Sequence, residues 1–118
     1  IVAALAMTEP SGGSDVQNLK TRAVREGNVY RLTGQKTFIS NGQHANLIVV
    51  AAKTDPNSRA KGMSLMVVET ENAEGFTRGR NLEKIGLKAA DTWSCSLTMW
   101  PSRRKISWAA LRVRVSIR

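Results

Sequence analysis

NLIVVAAK (residues 46–53) and MSLMVVE (residues 63–69) carry the clearest structural signal in this 118-residue chain. Each is a short, almost continuous apolar run, and the polar segment between them contains Asp55-Pro56-Asn57, which is typical of an exposed loop. Runs of this length bounded by turn residues indicate buried β-strands. We expect Leu47, Val49, Leu65 and Val67 to lie on the buried face.

The segments before and after these two runs also have strand character. Glu26-Gly27 separates residues 19–25 from residues 28–33 and predicts a hairpin. Thr33-Gly34 predicts a further turn before residues 35–40, and residues 76–80 form another short strand. No stretch has helical periodicity over a useful length. The sequence therefore predicts an all-β domain, a small antiparallel barrel or sandwich, with at least five strands and no long helix in residues 1–92.

Composition excludes several kinds of site and structure. A single cysteine, Cys95, rules out an intramolecular disulfide framework or a cysteine-cluster metal site, and a single histidine, His44, rules out a multi-histidine site. His44 lies in a loop composition and is interpreted as solvated. No apolar run approaches the roughly 20 residues of a membrane-spanning helix. We therefore expect no metal and no membrane partner.

The net charge of +9 is concentrated near the C-terminus. Residues 93–118 hold six of the eighteen Lys and Arg residues and none of the nine Asp and Glu residues, so they carry +6 and residues 1–92 carry +3. All three tryptophans also lie in residues 93–118. A basic segment with tryptophans is compatible with phosphate contacts and base stacking, and this keeps open a small, non-enzymatic protein that binds nucleic acid or another acidic partner.

Two segments have the composition of a ligand-binding surface. In MTEPSGGSD (residues 7–15), a proline followed by small residues makes a tight turn whose backbone N–H groups can approach a polar ring edge, and Thr8 and Ser14 add hydroxyls. In GQKTFISNG (residues 34–42), Phe38 and Ser40 are two residues apart, so on a strand they face the same side. Taken from the residues alone, a plain hairpin loop and a core aromatic remain the alternatives.

Together these segments resemble the acyl-CoA dehydrogenase family. The string ALAMTEPSGGSD (residues 4–15) is similar to that family's signature ALTEPGAGSD, with Ser11 in place of the commoner glycine. The order that follows is also similar: LKTRAVREGNVYRLTGQKTFISNG, ANLIVVAAKTDP, KGMSLMVVE and GFTRGRNLEKIGLKAADT. The resemblance covers residues 3–92 and implies the middle β-domain, which covers one face of FAD in a larger, mostly helical flavoenzyme.

The resemblance also implies roles for individual residues. Thr8 and the neighbouring amides would meet the pyrimidine edge of the flavin, and Ser14 would also reach the acyl-CoA. Phe38 would pack on the flavin, and Ser40 would lie near the nitrogen that accepts the hydride. The candidate cofactor-binding residues are Leu5, Met7, Thr8, Gly13, Ser14, Phe38, Ile39 and Ser40.

The same resemblance suggests that this chain alone is not a catalyst. The family's reaction removes hydrogens from the α and β carbons of an acyl-CoA, and an electron-transfer flavoprotein reoxidises the FAD. The family's glutamate base lies in a helical domain that these 118 residues do not contain, so no catalytic residue is assigned here. We expect a fragment of such an enzyme, from the bacterial cytoplasm or alternatively the mitochondrial matrix.

The sequence from Trp93 onward departs from the family, which continues with a strand of the type ELFFDDVxVP. The genetic code permits a spelling of this stretch that, read from the third base of the first codon, translates as ELFFDDVAVPPENLLG. We interpret residues 93–118 as an out-of-frame tail, of which residues 94–100 could supply one strand while the remainder is poorly ordered. This interpretation removes the motive for the nucleic-acid alternative.

Overall fold

The computed structural model describes residues 1–27, 29–73, 75–87 and 89–98 of the chain. Within these residues there are three single-turn 3₁₀ segments and seven strands. The strands, numbered in chain order, are β1 (Ala3–Ala6), β2 (Arg22–Glu26), β3 (Val29–Ser40), β4 (Leu47–Lys53), β5 (Met63–Glu69), β6 (Phe76–Asn81) and β7 (Thr92–Thr98). The prediction of an all-β domain is confirmed.

All seven strands belong to one mixed sheet. Strand β4 pairs with β5 on one side, and on its other side it runs parallel to β1 and meets β2 at Arg22 and Lys53. The sheet then continues through antiparallel pairs from β2 to β3, β7 and β6. One buried cluster takes side chains from β1, β2, β3, β4, β5 and β7, so the sheet must curl around it in the manner of half a barrel.

The buried face of the central strands is the opposite of the predicted one. Strands β4 and β5 pair with Ile48 opposite Val68 and Val50 opposite Met66, and these four side chains are in the core. Leu47, Val49, Leu65 and Val67, which were predicted to be buried, are only half-buried on the other face. Alternation cannot choose between two faces that are both apolar, which is why the prediction was wrong.

The predicted turn at Thr33-Gly34 is also wrong, because β3 runs unbroken from Val29 to Ser40. Gly34 does not form a turn; its lack of a side chain allows β3 to approach Thr21 closely. A Cβ atom at this position would lie 2.4 Å from Oγ1 of Thr21. The hairpin predicted at Glu26-Gly27 is confirmed, since Glu26 pairs with Val29 and Gly27 has a φ of 62°, which favours glycine.

Strand β7 completes the core on the side of β3. Trp93 is fully buried, its ring centroid is 5.7 Å from that of Phe76, and its indole N–H donates to the carbonyl of Gly79 over 2.9 Å. Gly42 leaves room for the indole, because a Cβ there would lie 2.3 Å from a ring carbon. A strand was expected over residues 94–100, and the structure has one at Thr92–Thr98. The tail beyond residue 98 lies outside the described residues.

Candidate functional site

The loop that follows β1 is a tight turn made of small residues. The backbones of Glu9 and Gly12 exchange two hydrogen bonds, of 3.2 and 3.0 Å, so that Pro10 and Ser11 form the exposed tip. Gly13 packs on Thr8, and a Cβ at Gly13 would lie 3.1 Å from the methyl group of Thr8. The turn therefore presents backbone groups and hydroxyls with little side-chain bulk, as its sequence predicts.

Strand β3 carries a bulge beside this turn. Its pairing with β7 shifts between Lys36 and Ile39, and the amide of Thr37 donates to the carbonyl of Thr8 over 2.9 Å instead of continuing the ladder. A bulge re-aims the side chains around it. Here the bulge allows the turn after β1 to pack directly against β3, so Thr8 lies next to Thr37, the residue that precedes Phe38.

Phe38 is held in a strained and exposed conformation at the bulge. Its φ of 56° is rare for a bulky residue, and a backbone outlier of this kind costs about 1–3 kcal/mol. Its side chain is 64% exposed, while Ile39 is in the core and Ser40 is exposed. Phe38 and Ser40 thus share the outward side, one on each side of a buried residue. Phe38 therefore combines a strained backbone with a solvent-facing aromatic ring, which makes it a candidate ligand contact.

The structure brings together some of the predicted site residues and leaves others apart. Thr8 and Met7 are half-buried where the turn meets β3, whereas Leu5 is exposed on β1. Gly13 and Ser14 are exposed beyond the Glu9–Gly12 bridge. Ile39 points into the core, which leaves only its backbone groups for a ligand.

Two charged residues outside the predicted set of site residues lie at the centre of this arrangement. The ammonium of Lys36 is 2.9 Å from Oε1 of Glu9, and both side chains are almost completely buried. Glu9 also accepts hydrogen bonds from the amides of Lys20 at 2.7 Å and Thr21 at 2.9 Å. Lys36 donates to the carbonyl of Met7 at 3.0 Å. Side chains two residues apart on a strand face the same side, so Lys36 lies on the same side of β3 as the apolar Leu32. This alternation was the signal in the sequence that could have identified Lys36 as buried.

The buried charges have shifted pKa values. Burial raises the pKa of Glu9, but the hydrogen bonds from Thr21, Lys20 and Lys36 outweigh it and lower the pKa to about 2. Burial lowers the pKa of Lys36 below its ordinary value, and the contact with Glu9 opposes that shift. Burial also raises the pKa of the Cys95 thiol, which lies opposite Lys36 in the β3–β7 pairing, to about 11. Cys95 is therefore a protonated core residue at neutral pH.

The groups on this surface are of the kinds that could contact a flat heterocycle. It offers an exposed aromatic ring, hydroxyl groups at Thr8 and Ser40, and a turn whose tip carries no bulky side chain; a Cβ at Gly12 would meet no atom within 4 Å. Across the described ranges, no group of three or more His, Cys, Asp or Glu residues is placed to hold a metal ion. In the same part of the chain, no helix has the length and apolar character needed to cross a membrane.

Residues 4–99 match the family described as "Acyl-CoA dehydrogenase, middle domain". The chain is similar to cyclohex-1-ene-1-carbonyl-CoA dehydrogenase of Geobacter metallireducens, with 49% identity over 90 residues; the match covers 76% of this chain and 23% of that protein.

Solved structures agree with the sequence matches. An acyl-CoA dehydrogenase from Geobacillus kaustophilus superposes with a TM-score of 0.80 and 53% identity, over 84% of this chain and 26% of that one. A structure described as an FAD-dependent dehydrogenase superposes with a TM-score of 0.79 and 36% identity, over 82% of this chain and 26% of that one. The chain spans about a quarter of the length of the relatives it matches.

Proposed function

Because the chain belongs to the acyl-CoA dehydrogenase family through that family's middle domain, we propose that the turn of residues 7–14 and the bulge of β3 form one wall of an FAD site. The observation that carries the proposal is Phe38, whose ring is exposed at the cost of backbone strain. Strain of this kind persists where the surrounding structure enforces it, and it concentrates at ligand sites. Phe38 is the residue that stacks on the isoalloxazine ring.

The groups around Phe38 have complementary roles. Thr8 and the amides of its turn donate hydrogen bonds to the polar edge of the ring, where such donors stabilise the negative charge of a reduced flavin. Ser40 lies on the same outward side as Phe38 and supplies a hydroxyl to the reacting part of the ring system. Ser14, farther along the turn, contacts the acyl-CoA substrate.

We infer the substrate class from the family. It is an acyl-CoA thioester that loses one hydrogen from its α carbon and one from its β carbon. FAD, when bound, accepts the hydride, and an electron-transfer flavoprotein is the partner that reoxidises it. None of the candidate residues described here is placed as a base for the α proton. We therefore expect flavin and acyl-CoA contacts from this chain, but no turnover by these 118 residues alone.

The test is a titration of the purified chain with FAD, followed by flavin fluorescence. We expect binding weaker than micromolar, because one wall leaves the other face of the ring in water. Phe38→Ala should weaken that binding about fivefold, since aromatic stacking contributes roughly 1 kcal/mol beyond area burial. Val24→Ala, which truncates an exposed apolar side chain on β2, is the matched control and should bind like the unchanged chain. Equal affinities for Phe38→Ala and Val24→Ala would reject the stacking role.

We also propose that the reading frame changes at or just after Thr92. Support comes from the translation of the shifted spelling of residues 93 onward, which reproduces the continuation typical of the family. The family match extends to residue 99, seven residues beyond Thr92, so the proposal rests on the translation and not on where the match ends. Sequencing the DNA across codons 92 and 93 and downstream tests the proposal. Family sequence in the shifted frame would support it, and unrelated sequence in all frames would reject it.

A further inference from the structure

The ion pair between Glu9 and Lys36 differs from the exposed pair between Arg31 and Glu26. Arg31 and Glu26 also approach to 2.8 Å, but both side chains are about 40% exposed, at 39% and 42%. Lys36 and Glu9 are 0% and 3% exposed. Transferring two charges from water into the interior costs several kcal/mol per ion, and their mutual attraction need not repay it. Replacing a buried ion pair by apolar side chains of similar volume is often neutral or stabilising, so stability alone does not explain this pair.

The pair is distinguished by the segments it joins. Lys36 bonds both to the carboxylate of Glu9 and to the carbonyl of Met7, so it holds the beginning of the turn at two points. The carboxylate of Glu9 in turn accepts hydrogen bonds from the backbone amides of Lys20 and Thr21, the two residues that precede β2. The next residue after Lys36, Thr37, donates its amide to Thr8. Three separate segments therefore meet at one charged pair, immediately before the bulge that carries Phe38.

We propose that Glu9 and Lys36 are positioning residues, which fix the turn of residues 7–14 against the bulge of β3 so that the groups on Thr8 and the ring of Phe38 are aligned before a flavin binds. The inference rests on the proposed flavin site. Neither side chain is exposed to a ligand, so the pair acts only through the backbone groups it holds. Prior alignment raises affinity because the loop does not have to be ordered during binding.

If the pair only stabilised the fold, a different result would be expected. The stabilising role and the positioning role can therefore be separated by experiment. Removing one partner leaves an unpaired buried charge and should destabilise the chain strongly, whichever role is correct. Removing both charges together, as Glu9→Gln with Lys36→Met, is often close to neutral for stability. The double variant still lacks the ammonium that holds the Met7 carbonyl. Stability should therefore recover in the double variant, whereas the placement of the turn should not.

The experiment compares the unchanged chain with Lys36→Met, Glu9→Gln, the double variant and the control Glu26→Gln, which removes the exposed pair. Three quantities are measured: the melting temperature, the affinity for FAD, and the hydrogen-exchange rate of the Thr37 amide. We expect the double variant to recover most of the melting temperature lost by Lys36→Met. Its FAD affinity should nevertheless stay about tenfold weaker, which is the effect of misplacing one hydrogen-bonding group, and its Thr37 amide should exchange faster.

The outcomes separate this inference from the proposed function. A double variant that binds FAD and protects the Thr37 amide as the unchanged chain does would overturn the positioning role. If the unchanged chain bound no FAD, the proposed function would fail, and the Thr37 exchange rate would decide the positioning role alone. If the double variant did not fold, Glu9→Gln would serve instead, compared with Gly42→Ala, which also destabilises the fold. Thr37 exchange that is faster in Glu9→Gln than in Gly42→Ala at equal loss of stability supports the role, and exchange that is no faster rejects it.

Discussion

Acid should destabilise this chain mainly through Glu9, and the effect has a calculable size. The pKa of Glu9 falls from 4.5 to about 2 on folding. A depressed folded-state pKa means that the carboxylate stabilises the fold fully above pH 4.5 and loses this contribution as the pH falls through 4.5 toward about 2. A shift of this size corresponds to about 3 kcal/mol. That is a large share of the roughly 5–15 kcal/mol by which folded domains are stable.

Urea denaturation at a series of pH values from 7 to 2, comparing the unchanged chain with Glu9→Gln, measures this contribution. At pH 7 the unchanged chain should be the more stable by about 3 kcal/mol. The two free energies of unfolding should converge as the pH approaches 2, because a protonated glutamate resembles glutamine. Asp55, whose pKa is also lowered by hydrogen bonds from Ser58 and the Asn57 amide, is present in both chains and cancels in the difference. A difference that stays constant from pH 7 to pH 2 would refute the assignment to Glu9.

Gly42→Ala should lower the free energy of unfolding by about 1–3 kcal/mol, because the added methyl overlaps the buried ring of Trp93; thermal unfolding compared with the exposed control Val24→Ala will show whether that overlap matters. Trp93→Ala should cost about 3–5 kcal/mol by the same measurement, and a loss below 1 kcal/mol would contradict the place of β7 in the core. Deleting residues 102–118 should change the melting temperature little if the reading frame changes as proposed, because an out-of-frame tail would not have been selected together with the sheet; a large decrease would show that the tail packs.

The strand content and the site loop were predictable from local signals. Gly27 marks the hairpin by its need for positive φ, and the small residues after Pro10 mark the tight turn. Family resemblance pointed to Phe38 and Ser40, and the structure adds the bulge and the strain that turn Phe38 outward. A bulge of this kind depends on pairing between β3 and β7, which are far apart in sequence, so no local pattern announces it.

The errors have equally physical causes. A glycine in a strand-like sequence indicates either a turn or a close approach of another residue to the backbone. Gly34 is a case of close approach, because Thr21 packs on it. The buried face of β4 was misassigned because Leu47 and Val49 are as apolar as Ile48 and Val50, so burial is decided by the sheet's curl. Parallel pairing of β1 with β4 depends on tertiary context, which alternation does not encode.

Thr8, Phe38 and Ser40 are proposed to form one wall of a flavin site. The most direct test is to record the amide NMR signals of the isotope-labelled chain during addition of FAD. The proposed site predicts progressive shifts concentrated in residues 7–14 and 37–41, with the edge strand β5 unaffected. Shifts spread over lysine and arginine residues throughout the chain, or confined to residues 93–118, would contradict the proposed site and would instead indicate binding of the cofactor's phosphates by charge alone.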